Sequence, residues 1–124
     1  MKNRILLVVM LIAAVFSSCK NSQSKVSKKD KVKSVQEITH ISFIVKGNCE
    51  KCKQTIEKAA LSLSAVKSAN WDMVSKSITV SFNDQEIKEL EIHHAIAASG
   101  YDTDQVKADP YAYKALEKCC KYND

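Results

Sequence analysis

Residues that bend and break a chain are scarce here: two glycines and one proline in 124 residues. So few glycines leave no glycine-rich loop of the kind that cradles phosphate. No carboxylate pair and no Ser/His/Asp set stands out, so the sequence offers no enzymatic centre. Aromatics make up 6% of the chain, and the basic excess, a net charge of +5, is not interleaved with them. That pattern speaks against nucleic-acid binding. Long apolar runs are missing too. The longest, "ILLVVMLIAAVF" at 5–16, has 12 residues, whereas a membrane-crossing helix needs about 20. The length fits one small domain with appendages.

Cysteine is what the sequence does have. Five occur, at positions 19, 49, 52, 119 and 120. An odd count leaves one cysteine with a separate fate.

Lys2 and Arg4 precede the apolar run, and Ser17 and Ser18 follow it directly before Cys19. A basic start, a short apolar centre and small residues are the layout of a secretory signal, here 1–18. Small residues before a cysteine resemble the lipobox of bacterial lipoproteins, although Phe16 stands where that pattern takes an aliphatic residue. The resemblance implies that Cys19 is lipidated and that the chain is held at the cell envelope, periplasmic or membrane-associated. It also accounts for the odd cysteine. The alternative is an ordinary signal cut nearby, with Cys19 a plain thiol. Loss of 1–18 removes Lys2 and Arg4 and no acid, lowering the charge from +5 to +3. Residues 19–36, rich in Lys and Ser, have little to bury and read as a flexible tether.

From Ile38 the pattern changes. Ile41, Phe43 and Val45 alternate with His40, Ser42 and Ile44, which predicts a half-buried strand ending at Gly47. Cys52, Ile56, Ala59, Ala60 and Leu63 recur at helical spacing within Glu50 to Ser64. A strand with Val66, Trp71 and Met73 follows, then a turn at Ser75 and Lys76, then a strand with Ile78, Val80 and Phe82. Asn83 or Asp84 reads as the N-cap of a second helix running to Ser99, with Ile92, Ala95 and Ile96 on one face and Gly100 past its end. "YDTDQVKA" reads as a short edge strand. The order βαββαβ predicts an α+β, ferredoxin-like fold over 37–108: a four-stranded antiparallel sheet with both helices on one face. Phe43, Ile56, Trp71, Phe82 and Ile96 should fill its core.

In that layout Cys49 and Cys52 lie at the start of the first helix, and Gly100 and Tyr101 at the same end of the domain. A helix N-terminus favours thiolate, and Lys51 and Lys53 add positive charge. Two thiolates from one short loop suit a soft cation: Cu(I) first, with Hg(II) and Zn(II) as alternatives. A closed structural zinc site needs four ligands, which one C-x-x-C does not supply.

The pattern βαββαβ, "GNCEKC" and the "SGYDTD" loop resemble the heavy-metal-associated domain family over about 38–107. That family includes copper chaperones, modules of copper-pumping ATPases and periplasmic mercuric-ion-binding proteins. Gly47, Cys49 and Cys52 match its Gly-Met-x-Cys-x-x-Cys motif in kind. The loop is one residue shorter and lacks the methionine. The resemblance implies metal ligation by Cys49 and Cys52 and a tyrosine, Tyr101, beside the metal. It implies a metal-transporting ATPase, or another metal donor or acceptor, as partner. The chain then reads as a metallochaperone that transfers or sequesters the ion, or else as a mercuric-ion scavenger.

Three other readings stay open. A thiol–disulfide redox protein uses the same motif, but Asn48 stands where such a site usually has an aromatic residue, and Pro110 lies beyond the domain. A Cys49–Cys52 disulfide would close a very small loop and gain little. A domain kept for protein contact alone needs no ion. In the tail, 109–124, Cys119 and Cys120 either add thiolates to the site, receive the ion in passing, bridge two molecules, or are inert beside a tail packed through Tyr111, Tyr113 and Leu116. His40, His93 and His94 read as surface or semi-buried side chains, not ligands.

Overall fold

The structure is a computed structural model that describes residues 36–123. The expected signal, Cys19 and the tether up to residue 35 lie outside the described residues. Seven elements follow one another: β1 (Ile38–Ile44), α1 (Glu50–Leu61), β2 (Val66–Trp71), β3 (Ser77–Asn83), α2 (Glu89–Ala98), α3 (Pro110–Ala115) and a 3-10 turn (Lys118–Cys120). Among the described residues, no helix is long and apolar enough to cross a membrane.

The sheet is antiparallel with strand order β1-β3-β2. Its register follows the alternation in the sequence. Ile78 of the central strand stands opposite Phe43 on one side and Trp71 on the other. These residues, with Val45, Val80 and Phe82, form one core with Cys52, Ile56 and Ala60 of α1 and Ile92 and Ile96 of α2. All five residues expected to fill the core are buried.

Four expectations are corrected. The fourth strand shrinks to one antiparallel bridge between Val45 and Thr103. Its residues bond within their own loop instead. The Thr103 hydroxyl accepts from the Gln105 and Val106 N–H groups, and the Asp102 carboxylate accepts from the Ala108 N–H. Such local bonds compete with a ladder. The second helix starts at Glu89, because the Asn83 side chain holds a separate turn through the Gln85 N–H and Glu86. Met73 lies past the end of β2 and is exposed, since Asp72 folds the chain back through the Val74 and Ser75 N–H groups. His93 is fully buried: it stacks on Phe43, and its Nδ1 is 2.7 Å from the Thr103 hydroxyl. His40 and His94 are exposed.

Two contacts position the site end. The Trp71 indole donates to the Val45 carbonyl at 3.0 Å, and its ring lies against Gly47. A Cβ on Gly47 would meet that ring at 3.1 Å and the Cys52 Cβ at 3.2 Å, so the approach needs glycine. Gly100 has φ +102°, and a Cβ there would stand 3.0 Å from the backbone of Ala112. The tail therefore packs directly on the end of α2.

Candidate metal site

Cys49 is the N-cap residue of α1, and Cys52 lies in its first turn with its side chain fully buried in the core. Their sulfurs are 3.2 Å apart. The Asn48 N–H donates to the Cys52 sulfur at 3.3 Å. Among the described residues, Lys51 and Lys53, the lysines that flank Cys52, make their hydrogen bonds elsewhere. Lys53 turns to β2, donating to the Trp71 carbonyl at 3.0 Å and to the Asn70 side chain. Lys51 pairs with Glu117 of the tail, and this contact with Glu117 holds the ammonium above its ordinary pKa.

The tail brings the other two thiols to the same place. Asp109 caps α3 by accepting from the Tyr111 and Ala112 N–H groups. Tyr122 then closes the chain over the α2 end. Its hydroxyl donates to the Gly100 carbonyl at 3.1 Å and accepts from the Asp102 N–H at 2.8 Å, and its ring meets those of Tyr101 and Tyr113. The Asn48 amide donates to the Lys121 carbonyl at 3.3 Å. Of the residues named for a packed tail, Tyr113 meets Tyr122 and Leu116 lies against the core, while Tyr111 is 81% exposed. Tyr122 escaped the sequence reading because it stands alone after a polar stretch, where periodicity gives no signal.

As a result, Cys49 is a hub. Its sulfur lies 3.6 Å from that of Cys119 and 3.5 Å from that of Cys120, and those two are 3.9 Å apart. Cys119 is exposed, and Cys120 is buried. Burial pushes the Cys120 thiol up to about 12 despite the nearby Tyr101 hydroxyl.

Tyr101 is buried beneath these sulfurs. Its hydroxyl lies against Cys120 and Cys52 but makes no hydrogen bond, and burial, followed by these thiols, raises its pKa strongly. A buried donor without an acceptor costs free energy.

Residues 42–102 match the family model of the heavy-metal-associated domain. This segment is a heavy-metal-associated domain. No curated protein sequence matches the chain. Solved structures share its fold. The CopZ metallochaperone is 26% identical with a TM-score of 0.51, over 52% of this chain and 98% of that one. The water-soluble region of the P-type ATPase CopA from Bacillus subtilis is 26% identical with a TM-score of 0.53, over 56% of this chain and 46% of that one. An oxidized MerP from Ralstonia metallidurans CH34 has the same fold, at 22% identity and a TM-score of 0.52, over 55% of this chain and 96% of that one. Cys119 and Cys120 lie beyond the matched residues of the heavy-metal-associated domain.

Proposed function

We propose that this chain binds a soft heavy-metal ion, Cu(I) before Hg(II) or Zn(II), through Cys49 and Cys52, without catalysing a reaction. One observation carries the reading: two thiols 3.2 Å apart at the N-terminus of α1, in a heavy-metal-associated domain. Binding removes a proton from each thiol. The helix N-terminus and the Asn48 N–H stabilise the anions left behind, and the Tyr101 hydroxyl is placed to donate to Cys52. The likeness to the CopZ metallochaperone and to the soluble region of the P-type ATPase CopA supports a metallochaperone role with a metal-transporting ATPase, or another thiolate donor or acceptor, as the partner, and the softness of two thiolates puts Cu(I) first. The lipobox-like sequence around Cys19 supports a place at the cell envelope, outside the inner membrane, anchored by lipid.

The test is a titration of reduced protein with Cu(I) in competition with a chromophoric chelator. One ion should bind per chain, and Cys49→Ser with Cys52→Ser should abolish high-affinity binding. Undiminished affinity in that double variant would refute the assignment.

A further inference from the structure

We propose that the C-terminal pair Cys119–Cys120 completes the metal site, so that the ion is held by at least three thiolates with Cys49 as the shared donor. This rests on the reading of Cys49 and Cys52 as ligands and goes beyond it, since the tail lies outside the matched domain. The sulfurs of Cys49, Cys119 and Cys120 all lie within 4.8 Å of one another.

Their spacing favours a closed shell. With metal–sulfur bonds of about 2.3 Å, a linear two-thiolate ion needs sulfurs about 4.6 Å apart, a trigonal one about 4.0 Å and a tetrahedral one about 3.8 Å. Cys49 and Cys52 stand at 3.2 Å, far from the linear distance, and Cys52 is fixed in the core. The Cys49–Cys119–Cys120 triangle has edges of 3.6, 3.5 and 3.9 Å, close to both higher-coordinate geometries. The ring of contacts that sets this triangle involves no sulfur: Tyr122 on Gly100 and Asp102, Asn48 on Lys121, Lys51 on Glu117.

The chemical consequence is retention. An open two-thiolate site leaves a coordination position for a partner's cysteine. Here the tail fills that position from within the same chain, where its effective concentration is high. Each ligating thiol gives its proton to solvent and keeps its electron pair for the metal; nothing is oxidised or reduced. Hand-over then requires the tail to be displaced, with Cys119, the exposed thiol, the first reached by an acceptor.

The experiment uses reduced full-length protein loaded with one equivalent of Cu(I). X-ray absorption should count three or four sulfurs in a monomeric complex, and Cys119→Ser with Cys120→Ser should lower the count to two. Loss of Cu(I) to a chelator should be roughly tenfold or more slower in the wild type than in this variant. Because Cys120 is buried, Cys119→Ser at the exposed position serves as the second variant and should lower the count by one. Two sulfurs in the wild type, a third sulfur from a second copy of the chain, or equal release rates would overturn the proposal. Of these, two sulfurs that disappear in the Cys49→Ser, Cys52→Ser variant would leave the C-x-x-C reading standing. Binding that survives in that variant would instead sink the C-x-x-C reading itself.

Discussion

The two cysteine pairs meet at one point but are held there by different means. Cys52 projects from a helix whose inner face is core, and its neighbour Gly47 is clamped under the Trp71 ring. Cys119 and Cys120 sit on a short tail that reaches the edge of the core through Cys120, Leu116 and Tyr122, and that is otherwise tied by one tyrosine hydroxyl, one amide contact and an exposed ion pair. Core burial is worth several kcal/mol per large side chain, whereas exposed polar contacts contribute far less. One pair is therefore rigid for as long as the domain is folded. The other has fewer buried contacts and is expected to detach first. A site built this way has a fixed half and a removable half.

The largest effect should come from the fixed half. Trp71→Ala removes a fully buried ring and the indole bond to Val45, at a cost of about 3–5 kcal/mol. A small domain has only about 5–15 kcal/mol in total. Denaturant unfolding should show a midpoint lowered by a large fraction, and Cu(I) affinity should fall with it as the seat of Gly47 and Cys52 opens. A variant with unchanged stability would remove the basis for calling this pair rigid.

The removable half should respond to a single atom. Tyr122→Phe deletes the hydroxyl that bonds Gly100 and Asp102 and leaves the Asp102 N–H without its partner, at a cost of about 1–3 kcal/mol. Hydrogen exchange should quicken in 109–123 while the amides of α1 and β3 keep their protection. Equal acceleration in both regions would mean that tail and domain open together and that the comparison fails.

How far each half could be read from sequence follows the same division. β1 and β3 were legible because Phe43, Ile78, Val80 and Phe82 alternate with outward-facing residues, and α1 because Cys52, Ile56 and Ala60 recur at helical spacing. That pattern also placed Cys49 and Cys52 together at the helix start. It stopped working wherever polar side chains bond their own loop. Asn83 delays α2, Asp72 shortens β2, and Asp102 with Thr103 replaces the last strand by a bridge. His93 misled because burial of an imidazole depends on Phe43 and Thr103, which are distant in sequence. The tail's docking was illegible for a similar reason. Leu116 and Tyr113 hinted at packing, but the contacts that bring Cys119 and Cys120 to Cys49 run through Tyr122, Gly100 and Asn48, and no periodicity joins them.

The smallest expected effect is electrostatic, and it sharpens where the boundary between the halves lies. Burial alone would push the Asp102 carboxyl up, but the Ala108 N–H, Lys107 and Lys46 outweigh it and hold it below its ordinary value. Lys46 and Lys107 each come within 3.3 Å. A carboxyl whose pKa is lower in the folded state stabilises the fold above its unfolded pKa of about 3.9, and that stability is lost as pH falls through the folded value. Both lysines are substantially exposed, so solvent screening limits the contribution to about 1 kcal/mol or less. Asp102 joins the end of β1, through Lys46, to the loop on which Tyr122 rests. Acidification of metal-free protein below about pH 4 should therefore loosen 109–123 before the core. Asp102→Asn should remove most of that pH dependence, and high salt should flatten it in the wild type. If the core amides lose protection first as the pH falls, Asp102 belongs to the fixed half, and the boundary lies on the tail side of its loop.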